Sequence, residues 1–151
     1  MIYIAHRGLF AGPDKTLENT PAQIMTALER GYHVEIDLWA VEADLYLGHD
    51  EPQYAINASF INQPNLWIHA KNIEALDYLT QTTYFYFWHQ NDDFTLTSNN
   101  LIWTYPGKPL TPRSVMVLPE NIDPTLNNTK NVNCYGICSD YVALIEQGLT
   151  R

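Results

Sequence analysis

Cysteine is scarce. The chain holds two, Cys134 and Cys138, too few for a disulfide framework, and nothing near them completes a zinc pattern. If both lie on one strand, their Cα atoms are too far apart to bridge, so they read as reduced thiols. Basic residues are scarce as well: eight Lys and Arg stand against 17 Asp and Glu, a formal net charge of −9. That balance argues against a nucleic-acid backbone or an anionic membrane surface as partner. It does not exclude a phosphate-bearing small molecule, because a bound cation and a few local bases invert the field inside one pocket. No apolar run is long enough to span a bilayer. Met1-Ile2-Tyr3-Ile4-Ala5 turns polar at His6-Arg7 and lacks the basic leader and apolar core of a signal peptide, so a cytoplasmic protein is expected. There is no internal repeat and no low-complexity segment.

What remains suffices for one domain, residues 1–151. Of the 151 residues 46% are hydrophobic and 17% charged, the balance of a globular chain with a real core. Ten Tyr and four Trp suit either a ring-packed core or a ligand pocket.

The stretch that organises the rest is Val34-Glu35-Ile36-Asp37-Leu38. It reads as a strand with Val34, Ile36 and Leu38 on one face and Glu35 and Asp37 on the other. Neighbouring carboxylates repel, and burying them unpaired is costly. A divalent cation resolves that conflict; a solvated strand face avoids it.

Met1 to Ala5 reads as a buried strand, followed by a loop over residues 9–19. Thr20 as N-cap and Pro21 in the first turn open a helix with Ile24, Met25, Ala27 and Leu28 on its apolar face, and Gly31 stops it. The strand His33 to Leu38 completes a βαβ unit, hence parallel strands. Trp39 to Gly48 alternates and turns at Glu42-Ala43-Asp44, a hairpin delivering His49-Asp50. Residues 51–65 read mainly as loop. Further strands are expected at Leu66–Lys71, Tyr84–Trp88, Leu101–Tyr105, Val115–Leu118 and Tyr135–Cys138. Asn72 caps a helix with Ile73, Leu76 and Leu79 on one face, and Ser139-Asp140 cap a last one. The later connections are too short for full helices. The fold class is α/β: a reduced, TIM-like (β/α) barrel of about seven mostly parallel strands with some helices missing.

Strand after strand finishes on a polar group: His6-Arg7, Glu35 and Asp37, His69 and Lys71, His89, and Glu120. In parallel α/β folds the C-terminal strand ends converge on one face, where sites form.

In order and approximate spacing, His6-Arg7-Gly8, Glu18-Asn19-Thr20, Glu35-Ile36-Asp37 and His49-Asp50 resemble the signature of the glycerophosphodiester phosphodiesterase family, and Gly136-Ile137-Cys138-Ser139-Asp140 resembles its closing strand and turn. The likeness is dense in the first third, looser at the tail and poor in the middle. It implies a (β/α) barrel longer than this chain allows, and a phosphoric diester hydrolase of lipid metabolism. It implies His6 and His49 as general acid and base, suited by an imidazole that titrates near neutral pH. It implies Glu35 and Asp37 as ligands of a divalent ion, Mg²⁺ or Ca²⁺, with Mn²⁺ as the alternative. Arg7 and Lys71 fall at the phosphate. Glu18 would orient Arg7 or touch the metal, or else simply complement a helix start. The departure is His69, which stands where the family carries a third metal-binding Glu. It could ligate through a neutral nitrogen, favouring Mn²⁺ or Zn²⁺, or contact substrate instead. Trp88, His89, Trp103 and Tyr105 have no family counterpart and serve either core packing or the alcohol portion of a substrate.

The expected reaction is cleavage of a small glycerophosphodiester-like substrate to a phosphomonoester, such as glycerol phosphate, and an alcohol. Two alternatives are a phospholipase D-like enzyme similar to sphingomyelinase D and a non-catalytic phosphate-binding module. A barrel short of a strand leaves edges that a homodimer would cover.

Overall fold

A computed structural model describes residues 1–151. It contains one ten-stranded mixed sheet and three α-helices. The strands are β1 (Ile2–Ala5), β2 (His33–Val41), β3 (Asp44–Leu47), β4 (Tyr54–Ile56), β5 (Leu66–Ala70), β6 (Phe85–Phe87), β7 (Phe94–Leu96), β8 (Ile102–Thr104), β9 (Ser114–Val117) and β10 (Gly136–Ser139). The helices are α1 (Pro21–Glu29), α2 (Ile73–Thr80) and α3 (Val142–Glu146).

Seven strands run parallel in the spatial order β6, β5, β2, β1, β10, β9, β8. They are the seven expected from sequence. The other three are antiparallel additions. β3 and β4 fold back on the far half of β2, where Val41 pairs with Asp44 across the Glu42–Ala43 turn. β7 lines the outer side of β8. β4 forms within residues 51–65, expected mainly as loop, and β7 within a connection expected only to be too short for a full helix. The ends of the parallel run, β6 and β8, do not pair with each other. The segment after β7 spans the gap instead: Ser98 N–H donates to Tyr86 O at 2.9 Å, and Tyr86 N–H donates to Ser98 Oγ at 2.9 Å. The result is a curled, barrel-like α/β sheet with few helices.

The two faces of the sheet do different jobs. On the outer face Val34, Ile36 and Leu38 pack with Ile24 and Ala27 of α1 and Ala75 and Leu79 of α2. On the inner face Ile4, Trp67, Phe87, Trp103, Val115, Val117 and Cys138 form a second core. Its floor is aromatic: Phe87 stacks on Trp103 with centroids 4.4 Å apart, and Trp67 lies 6.0 Å from Trp103. This plug fills the inner face toward the N-terminal strand ends and leaves the C-terminal ends to polar residues.

Local signals explain the helices. Thr20 accepts from the Gln23 N–H with Pro21 at the first position, and Asn72 accepts from the Ala75 N–H. Ile73, expected on the apolar face of α2, is exposed; Ala75 takes the buried place. Ser139 and Asp140 do not cap α3. Tyr141 stands at that cap without a side-chain bond, and the two polar side chains turn elsewhere. Cys134 and Cys138 are free thiols. No helix is long and apolar enough to cross a membrane.

Candidate functional site

The C-terminal strand ends open into a cavity of about 370 Å³. His6, Arg7, Glu35, Asp37, His49, His69 and Lys71 all line it, with Trp88, His89, Trp103 and Tyr105 on its walls. Of the site residues expected from sequence, Glu18 alone does not line the cavity. It acts one step back, its Oε2 2.9 Å from Arg7 Nη1.

Register brings three candidate ligands together. β2 and β5 run parallel with Asp37 opposite His69 and Glu35 opposite Trp67, so Glu35, Asp37 and His69 share the inner face. Glu35 is 2% exposed and Asp37 1% exposed, which removes the solvated-strand reading. One donor atom from each of Glu35, Asp37 and His69 lies within 4.8 Å of the others, about the widest span two ligands of one ion can have with bonds of roughly 2.0–2.4 Å.

Burial, and after it the charge of Asp37, push the Glu35 carboxyl above the ordinary carboxylate range. Asp37 moves the other way. Burial opposes its ionisation, but contact with His69 and the charges of Lys71 and Arg7 hold it well below that range. Lys71 Nζ is 3.3 Å from Asp37 Oδ1, and Arg7 Nε is 3.3 Å from Asp37 Oδ2. Asn19 adds a two-point clamp: its Nδ2 donates to Asp37 Oδ2 at 2.8 Å, and its Oδ1 accepts from the Asp37 N–H at 3.0 Å. After all this Asp37 Oδ1 remains buried without a hydrogen bond. A buried carboxylate oxygen left over beside a second carboxylate and an imidazole fits a divalent ion.

His6-Arg7-Gly8 makes a kinked turn after β1, with Arg7 left-handed at φ 52°. That left-handed conformation costs a side-chain residue about 1–2 kcal/mol. It turns the Arg7 N–H onto Glu35 Oε2 at 3.0 Å. Gly8 follows at φ 81° with its Cα against the start of α1, where a Cβ would meet Ile24 N at 3.2 Å.

Two residues that contact the candidate site were not expected there from sequence: Asn19 and Asp140. Asp140 Oδ1 lies 2.8 Å from His6 Nδ1. Burial alone would lower the His6 pKa; the Asp140 bond and the Glu35 charge outweigh it and hold it above the ordinary value. Glu120, expected among the strand-end polar groups that share the pocket, does not reach the cavity. It is buried behind Asp140, accepting the Asp140 N–H and the Ser139 hydroxyl, each at 2.9 Å. His49 arrives from the β3 hairpin, half-exposed, its Nδ1 2.6 Å from Asp50 Oδ1. Gly48 positions it: its N–H donates to Asp37 O at 3.2 Å and its carbonyl accepts from Trp39 Nε1 at 2.7 Å.

The aromatic residues differ in burial. Trp103 is buried and belongs to the floor, while Tyr105 is exposed at the mouth, 5.5 Å from His89. No protein-family model, curated protein or solved structure matches the chain.

Proposed function

We propose that the chain is a metal-dependent phosphodiester hydrolase on a reduced (β/α) barrel, cleaving a small glycerophosphodiester-like substrate to a phosphomonoester and an alcohol. One observation carries the reading: two histidines, His6 and His49, face a single cavity that also holds a buried carboxylate pair and two fixed cations, Arg7 and Lys71. The ordered motifs that resemble glycerophosphodiester phosphodiesterases support it.

Glu35 and Asp37 would hold a divalent ion, which when bound supplies positive charge to the non-bridging phosphate oxygens. Arg7 and Lys71 add theirs from the side and orient the phosphate. A neighbouring substrate hydroxyl attacks phosphorus as one histidine takes its proton. The ester bond to the alcohol breaks, and the other histidine protonates the departing oxygen. The histidines then exchange roles as water opens the cyclic phosphate. His6, held by Asp140 with its pKa raised, suits the protonated partner. Trp88, His89 and Tyr105 lie where the alcohol would sit.

The site also supports a second reading. Arg7 and Lys71 beside Asp37 would retain a phosphate without turning it over, as a non-catalytic binding module does. Assay of the purified chain with Mg²⁺, Ca²⁺ or Mn²⁺ and a simple glycerophosphodiester separates the two. Turnover should fall by about 10²–10⁴-fold in His6→Ala and in His49→Ala. Equal turnover by wild type and both variants overturns the assignment; binding without turnover under any ion leaves the module.

A further inference from the structure

We propose that His69 Nδ1 is itself a metal ligand, completing with Glu35 and Asp37 a site of two carboxylates and one imidazole, and that it moves the preferred ion from Mg²⁺ or Ca²⁺ to Mn²⁺ and the heavier first-row divalent ions. The proposal rests on the reading that an ion sits at Glu35 and Asp37.

The ring of His69 is fixed on three sides. Its strand register sets it beside Asp37. Its face stacks on Phe87, centroids 5.0 Å apart and planes 11° from parallel. Its Nε2 lies 2.9 Å from the backbone carbonyl of His89. A carbonyl only accepts, so Nε2 carries the hydrogen, and in the neutral ring Nδ1 is left with a lone pair. That lone pair faces the carboxylates: Nδ1 is 3.0 Å from Asp37 Oδ1 and 3.9 Å from Glu35 Oε1.

Without an ion a neutral His69 sets acceptor against acceptor here, offset only by a second proton on the ring or by the charge of Lys71, 3.3 Å from the same Oδ1. With an ion the same contact is one edge of a coordination shell, since adjacent ligands on bonds of about 2.1 Å lie roughly 3 Å apart. A carbonyl gripping the far ring nitrogen is the usual support of a ligating histidine. Imidazole suits transition ions, whereas Mg²⁺ and Ca²⁺ take oxygen. Charge agrees as well. The two carboxylates balance a divalent ion, the neutral imidazole adds nothing, Glu18 balances Arg7, and the charge of Lys71 is left for an anion.

The test is metal binding by the full chain without substrate. Mn²⁺-loaded protein is examined by electron spin-echo spectroscopy for directly bound nitrogen, and Mn²⁺, Mg²⁺ and Ca²⁺ are titrated calorimetrically into wild type, His69→Gln and His69→Glu. We expect coupling from one imidazole nitrogen in wild type and none in either variant. Mn²⁺ affinity should fall about tenfold or more in His69→Gln. In His69→Glu the preference for Mn²⁺ over Mg²⁺ should narrow by about tenfold or more. His69→Gln adds no third buried carboxylate, so it tests the ligand even if His69→Glu does not fold. Bound Mn²⁺ with no nitrogen coupling overturns the proposal, as does a ¹⁵N spectrum of the Zn²⁺-loaded protein showing both His69 nitrogens protonated. Absence of any binding that Glu35→Gln removes overturns it together with the metal-dependent reading. Nitrogen coupling in a protein that cleaves no diester supports the ligand and counts against the hydrolase alone.

Discussion

Asp140 Oδ1 meets His6 Nδ1 at 2.8 Å, joining a residue just past the last strand to one just past the first. The parallel pairing of Ala5 with Ser139 makes the two neighbours. A carboxylate at Nδ1 fixes the hydrogen there and leaves Nε2 for a substrate proton. Asp140→Asn keeps the shape and removes the charge. We expect kcat to fall by about 10²–10⁴-fold, the range for a mispositioned acid–base group, with KM little changed. In the pH–rate profile the limb belonging to His6 should move to lower pH. An unmoved profile would make Asp140 merely structural.

The same pair predicts a pH-dependent stability. The His6 pKa in the folded chain stands above its ordinary value of 6.5. The folded state therefore holds this proton more tightly than the unfolded one. The stabilisation is fully present below about pH 6.5, the unfolded value, and is lost as pH rises through the folded value. Wild type should thus out-melt Asp140→Asn by most below about pH 6.5, and the gap should close as pH rises above it. Thermal melts across that window check it; a gap that widens with pH contradicts it.

Most of the parallel strands were legible as short apolar runs ending on a polar residue, and β2 as an alternation of apolar and acidic side chains. β4 and β7 were not. Each has three residues, and on β7 the apolar pair Phe94 and Leu96 is exposed, so alternation points the wrong way. Strand periodicity alone places Glu35 with Asp37 and His69 with Lys71, but only the register of β2 on β5 puts the two pairs on one face. Asp140 could not be placed beside His6, because 134 residues separate them and only the closing strand brings them together. Asn19 looked like loop polarity. Its backbone is loop-like, at φ 58°, but its side chain is fully buried against Asp37.

Asn19 therefore makes a stability prediction. Asn19→Ala would strip Asp37 Oδ2 and the Asp37 N–H of their partner at a position closed to water. A buried polar group left unsatisfied costs about 1–3 kcal/mol. We expect a loss in that range by urea denaturation. Asn19→Asp should cost more, since it sets a third carboxylate beside Glu35 and Asp37. A loss within about 0.5 kcal/mol, the ordinary scatter of surface changes, would show that the clamp contributes little.

Gly48 governs the placement of His49. Its φ of 151° is foreign to side-chain residues, and a Cβ there would collide with the carbonyl of Glu51. Gly48→Ala must shift the turn that carries His49 while the paired strands β2 and β3 persist. We expect a fall in kcat approaching that of His49→Ala, with far-UV dichroism unchanged. Retained turnover would mean that His49 tolerates displacement and is not the proton carrier.

Glu35 sets function against stability. Its carboxylate is buried beside that of Asp37, and both facts raise its pKa, so holding it ionised in the metal-free fold is unfavourable. Glu35→Gln retains an oxygen to accept the Arg7 N–H and removes the repulsion. The metal-free variant should melt above metal-free wild type. An ion at a hundred times its Kd adds about 2.7 kcal/mol to the state that binds it. Wild type should gain that increment with saturating Mn²⁺, and Glu35→Gln should lose most of it along with activity. Paired melts with chelator and with Mn²⁺ decide the matter. A variant less stable than wild type in chelator would mean that Arg7 and its neighbours already neutralise the pair, and that the acidic site needs no ion.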